Sequence, residues 1–267
     1  MANELEPAWL LHRRNYGDSG FLVDILGLNS GRISAVVKGG RRKARGGSFA
    51  GVLQPFTPLL VATSGRGELK TLSRLELAGA GVELAGERVF SGFYLNELLV
   101  RLLPKFVSCP TLFALYGGTI DALVATEAEL DLRKFELMLL EELGYGLRFD
   151  VDANNDPIEA ANAYLYDPTA GFLPRAFGFD DAWKKEGRLQ GDQLLNMADW
   201  LFNGDGLDGS NRQSLKDLTR LALQLQLGDR PLNSRKLLQA FRWREEPSRT
   251  RCSMHPLTSK LSLRHRR

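Results

Sequence analysis

At 267 residues the chain is long enough for more than one hydrophobic core, and two domains are the expectation. With 43% hydrophobic and 25% charged residues, and no run of about 20 apolar residues, it matches neither a disordered chain nor a membrane-spanning one. Cys109 and Cys252 lie far apart and form no Cys-x-x-Cys pair, which argues against a disulfide framework and a cysteine-built zinc site.

The polar, acidic residues 1–7 do not read as a signal peptide, so a cytoplasmic protein without a membrane partner is expected, and the family resemblance given below would make it nucleoid-associated. Net charge is only +3, but it is unevenly spread: residues 1–80 carry +5, residues 81–241 carry −8 and residues 242–267 carry +6. A basic front and a basic tail around an acidic middle suit a module that meets a polyanion early in the chain.

The first 80 residues read as strands. A strand fits 8–13. Phe21, Val23 and Ile25 then alternate up to Gly27, and Ile33, Ala35 and Val37 alternate after a turn at Asn29-Ser30-Gly31, a hairpin signal. Two more strands fit 58–63 and 68–77 around Ser64-Gly65-Arg66-Gly67. Five short strands with glycine turns and no helical period predict a five-stranded OB-fold barrel over residues 1–82.

The period changes after Gly86. Leu95, Leu98, Leu99 and Leu102 mark one helical face that stops before Pro104, and further helices fit 110–125 and 132–143. Residues 145–190 lose periodicity and collect Gly, Pro, Asn and Asp, which predicts an irregular excursion. Helices resume at 192–202, 213–227 and 234–241, the last with Asn233 as N-cap. The fold class is therefore α+β, with a mostly helical domain over 83–241. The basic stretch 242–267 has no sustained apolar face and is expected to be a disordered tail.

The segment from Lys38 to Arg45 carries the clearest chemistry. Lys38, Arg41, Arg42, Lys43 and Arg45 fall within eight residues flanked by glycine pairs, and no acid occurs between Gly31 and Glu68. Such a flexible cationic finger attracts phosphate backbones and gains from counterion release. Arg66 and Lys70 extend the positive set around the next turn. No Gly-Lys-Ser/Thr follows the glycines, so this is not a nucleotide-triphosphate loop. Among nearby aromatics, Phe21 is assigned to the core, and Phe49 is the better candidate for stacking on a base. His12, His255 and His265 have no metal spacing, and nothing assembles a nucleophile, a base and an oxyanion site, so no enzyme, cofactor or metal is expected. In the helical half, Arg101, Arg133 and Lys134 are cations at the ends of apolar helices, a pattern that suits either ordinary helix rims or an acidic-hydrophobic peptide.

The chain resembles the RecO family of bacterial DNA repair proteins along nearly its whole length. The residues that carry the likeness include 10–13 with Tyr16, 22–24, the hairpin 31–38, Gly51-Val52-Leu53-Gln54-Pro55-Phe56-Thr57-Pro58 and 65–72. They continue with Tyr94-Leu95-Asn96-Glu97-Leu98, Arg133-Lys134-Phe135-Glu136-Leu137, Gly144-Tyr145-Gly146-Leu147 and 227–235. The resemblance implies an OB-fold followed by a helical domain, binding of single- and double-stranded DNA, and annealing of complementary strands. It also implies that the acidic C-terminal tail of single-stranded DNA-binding protein is a partner, and that RecR acts with the protein to load RecA. On this likeness 41–45 would contact DNA and Arg133 would recognise the partner tail. The zinc that some members hold through four cysteines has no ligands here, because 148–190 contain none. An OB-fold protein of RNA or the ribosome is the alternative reading.

Overall fold

A computed structural model describes residues 4–39, 49–125, 128–174, 187–204 and 206–245. Five strands, β1 (Glu6–Tyr16), β2 (Gly20–Gly27), β3 (Gly31–Val37), β4 (Pro58–Ser64) and β5 (Leu69–Leu77), close into a barrel of order β1-β2-β3-β5-β4. All pairings are antiparallel except β3 with β5, where Ser34 faces Leu69 and Val36 faces Thr71. This is the OB-fold that the strand pattern predicts. Period-two alternation explains its interior, since Val23, Ile25, Ile33, Ala35, Leu59 and Val61 all point inward and are buried. A short helix, α1 (Phe49–Val52), precedes β4.

Apolar side chains of the barrel are buried against the rest of the chain. The β1–β2 ladder slips register between Leu10 and His12. That bulge allows consecutive leucines to be buried on opposite sides, Leu10 inside the barrel and Leu11 among the helices. Leu26 and Phe56 likewise join the helical core. Phe56 packs on Phe93 with ring centroids 5.4 Å apart. A Cβ at Gly92 would come within 2.6 Å of the Phe56 ring, so glycine is what lets the helix sit so close.

The helical region comprises α2 (Arg88–Leu102), α3 (Pro110–Ala122), α4 (Glu129–Glu142), α5 (Gly191–Asn203), α6 (Gly209–Leu227) and α7 (Asn233–Glu245). Three expectations need correction. Residues 145–190 are not simply irregular: they hold an antiparallel sheet of β6 (Ala163–Asp167), β7 (Gly171–Pro174) and β8 (Arg188–Gln190) in the order β7-β6-β8. These strands are too short for alternation to stand out against their polar turns. Asn233 is not an N-cap but the first helical residue of α7. Its N–H and that of Ser234 donate to the Glu97 carboxylate at 2.8 Å each, so the cap comes from α2. The stretch expected as a tail begins helical, since α7 runs to Glu245; residues 246–267 lie outside the described residues.

Candidate polyanion and peptide interface

Among the described residues, cations gather at three places. Lys38 is exposed at the turn after β3, and Arg41, Arg42, Lys43 and Arg45 lie outside the described residues. The flank of that finger is fixed, because Arg13 Nη1 donates to the carbonyls of Ala50 and Leu53 at 2.9 Å each and its guanidinium stacks 4.8 Å from the Phe21 ring. Phe21 is core, as expected, while Phe49, at the start of α1, is 42% exposed. Exposed Arg14 and Tyr16 stand at this end of the barrel too.

Arg66 and Lys70 are elsewhere. Because β3 and β5 run parallel, the turn before β5 lies at the start of β3, the opposite end of the barrel from Lys38. Arg66 is exposed there, and Lys70 Nζ donates to the Gly65 carbonyl at 3.0 Å. The barrel therefore carries positive charge at both ends.

The third place is a cleft of about 570 Å³ among α2, α4, α6 and α7. Six cations line it, Arg88, Arg133, Lys216, Arg220, Arg235 and Arg242, against two carboxylates, Glu87 and Glu129. Phe90, Tyr94, Leu132 and Leu238 supply apolar wall. Helical spacing gathers these residues: Lys216 and Arg220 are one turn apart on α6, and Arg235 and Arg242 two turns apart on α7.

The floor of the cleft is a buried polar network. Arg133 is 8% exposed; its Nη1 meets Glu136 Oε2 at 2.7 Å and donates to Thr219 Oγ1 at 3.2 Å. Glu136 is fully buried and accepts from Tyr94 Oη at 2.6 Å. Burial pushes the Glu136 carboxyl above its ordinary range, with Arg133 and Tyr94 pulling it back. Burial, then the Glu136 charge, raises the Tyr94 hydroxyl. Arg133 Nε is buried without a partner. At the rim, a hydrogen bond from Lys216 lowers Glu129, and one from Arg242 lowers Glu87.

Of the cations expected to receive a peptide tail, Arg133 alone lines this cleft. Lys134 is exposed one residue along α4 and is not part of the wall. Arg101 directs its guanidinium to backbone carbonyls of Leu227 and Arg230, at 2.9 and 2.8 Å, and so braces the α6–α7 connection. The cations that sequence reasoning missed are spread from residue 88 to residue 242, and each alone looks like an ordinary helix-surface charge.

Two family models match the chain: "Recombination protein O N terminal" over residues 1–80 and "Recombination protein O C terminal" over residues 84–236. The chain belongs to the RecO family. The DNA repair protein RecO of Methylococcus capsulatus is 42% identical over 238 residues, covering 88% of this chain and 93% of that protein. RecO of Pseudomonas aeruginosa strain PAO1 is 43% identical over 233 residues, covering 87% and 93%. RecO of Alkalilimnicola ehrlichii is 42% identical over 234 residues, covering 87% and 90%. Membership of the RecO family makes this a protein of DNA repair and recombination. Among the described residues no helix is long and apolar enough to cross a membrane, and no cluster of His, Cys, Asp or Glu suits a metal ion.

Proposed function

We propose that this RecO-family chain is a non-enzymatic mediator that binds single- and double-stranded DNA, anneals complementary strands and docks the acidic C-terminal tail of single-stranded DNA-binding protein. The cleft among α2, α4, α6 and α7 carries the reading. Six cations around a half-apolar trough of about 570 Å³ are complementary to a short peptide that bears both carboxylates and bulky apolar side chains.

In this account the barrel takes the DNA. Lys38 with Arg41, Arg42, Lys43 and Arg45 would grip phosphates at one end, and Arg66 with Lys70 at the other. Neutralising two strands on one cationic surface lowers their mutual repulsion, so pairing needs no nucleotide hydrolysis. Holding the partner tail in the cleft concentrates the protein on coated strands in the cytoplasm, a gain in effective concentration. Arg133 serves the tail from inside the cleft, whereas Arg101 and Lys134 would act at most through neighbouring structure. Hand-over to RecA together with RecR completes the proposed role.

The test is annealing of complementary oligonucleotides by the purified chain, bare and coated with single-stranded DNA-binding protein. Acceleration on both, without ATP, is expected. Acceleration only with ATP would overturn the mechanism. Loss of annealing to a small excess of structured RNA, with double-stranded DNA a poor competitor, would favour an RNA-binding role instead.

A further inference from the structure

The segment between α2 and α3 crosses back onto the barrel and presents a phenylalanine there. Phe106 N–H donates to the Arg32 carbonyl at 3.0 Å, and Arg32 Nε returns a bond to the Leu103 carbonyl at 2.7 Å. Ser108 Oγ adds a bond to the Leu28 carbonyl at 3.0 Å. Gly31, itself at φ +64°, lies against the segment, where a Cβ would overlap the Val107 carbonyl. From the other side Lys105 Nζ approaches Glu68 at 4.0 Å, and Lys70 Nζ stands 5.2 Å from the Phe106 ring centroid.

These contacts hold Phe106 at φ +62°, a backbone region that bulky L residues rarely enter. One other described phenylalanine shares that feature, Phe56 at φ 60°, and its reason is plain: its ring is 4% exposed and packed on Phe93. Phe106 gains no such burial, with 43% of the residue exposed. The strain therefore presents an aromatic face outward, and the surroundings say to what. Lys70 lies over the ring, Lys105 precedes it in the chain, Arg32 is bonded to its backbone, Arg66 lies exposed in the neighbouring turn, and Glu68 is the carboxylate that the contacts bring there. A flat apolar face among cations matches a splayed base with its flanking phosphates.

We propose that Phe106 is a base-stacking platform for single-stranded nucleic acid at the β4–β5 end of the barrel, with Arg66, Lys70 and Lys105 holding the adjoining phosphates. The proposal rests on the DNA-binding reading above and adds to it a contact that recognises unpaired bases. Stacking releases no counterions, so it separates from phosphate binding by its salt dependence.

The experiment is fluorescence anisotropy on the full chain, with a labelled oligothymidine and an abasic strand of the same length, across a salt series. The native protein is expected to prefer the base-bearing strand. Phe106→Ala should weaken that strand by roughly 5- to 150-fold, leave the abasic strand unchanged, and leave the slope of log K against log salt unchanged. Phe106→Trp should restore the preference. Native binding of both strands with no effect of Phe106→Ala would overturn the platform and leave the DNA-binding reading standing; the ring would then belong to a protein contact. Equal weakening of both strands would also overturn it. Failure of the native protein to bind either strand in dilute salt would sink both.

Discussion

The Tyr94 hydroxyl donates to Glu136 Oε1 at 2.6 Å, tying α2 to α4 at the floor of the cationic cleft. Glu136 also holds Arg133, so one buried carboxylate sets the position of both groups. Arg133 is thus presented to the cleft by a hydrogen-bonded network anchored on the buried Glu136, not by a free surface side chain.

Removing one member of that network should cost stability before it costs binding. Tyr94→Phe leaves a buried carboxylate oxygen short of a donor, and a loss of about 1–3 kcal/mol is expected. Thermal or urea denaturation measures it, and a change below a few tenths would mean the bond is not made in solution.

Arg133→Ala is harsher, because it strands the Glu136 charge; breaking such a buried pair costs about 3–5 kcal/mol. Lost tail binding in that variant would mix with lost folding. Arg220 is the cleaner probe, being exposed on the cleft wall and 3.8 Å from Asp217. Arg220→Ala is expected to weaken the acidic tail peptide roughly tenfold, with the melting temperature and DNA affinity unchanged. Titration calorimetry with the peptide checks it.

Acid should loosen α7. Burial alone would raise the Glu97 carboxyl, but donation from Ser234 and Asn233, with Arg101 nearby, leaves it below the ordinary 4.5. A depressed folded value means that its contribution is complete above the unfolded value and fades as pH falls through the folded one. The hydrogen-exchange protection of residues 231–243, taken relative to the intrinsic rate at each pH, should therefore fall below about pH 4.5, the same ordinary value. Glu97→Gln should show the faster exchange already at neutral pH, with a cap loss of about 0.5–2 kcal/mol. The exposed Glu87–Arg242 pair titrates in the same direction but is solvent-screened. An acid response that survives Glu97→Gln would assign the effect to that pair.

Neutralising Arg41, Arg42 and Lys43 together should weaken DNA binding and flatten its salt dependence by roughly one slope unit per lost phosphate contact. An unaltered slope would remove the finger from the DNA path.

The barrel was legible because each strand obeys a local rule: alternation along β2 and β3 and glycine at the turns suffice to place Val23 or Ile33 inside. Helices were legible by their leucines, though α2 starts at Arg88, before its leucine face, and α6 at Gly209, where Asp208 caps by accepting from Asn211 N–H. What stayed hidden depends on distant residues meeting. No local pattern tells that Glu97 caps a helix 136 residues later, or that Arg88 and Arg242 share a wall. The left-handed backbone at Phe106 was equally invisible, since it comes from Arg32 and Gly31 and not from its own neighbours.

The Glu97 cap has a consequence for synthesis. All five barrel strands have been made once Leu77 has left the ribosome, but the cleft acquires its α7 wall only after Arg242 follows. A chain ending short of Asn233 would leave the Glu97 carboxylate without its two backbone donors and the cleft without its α7 wall.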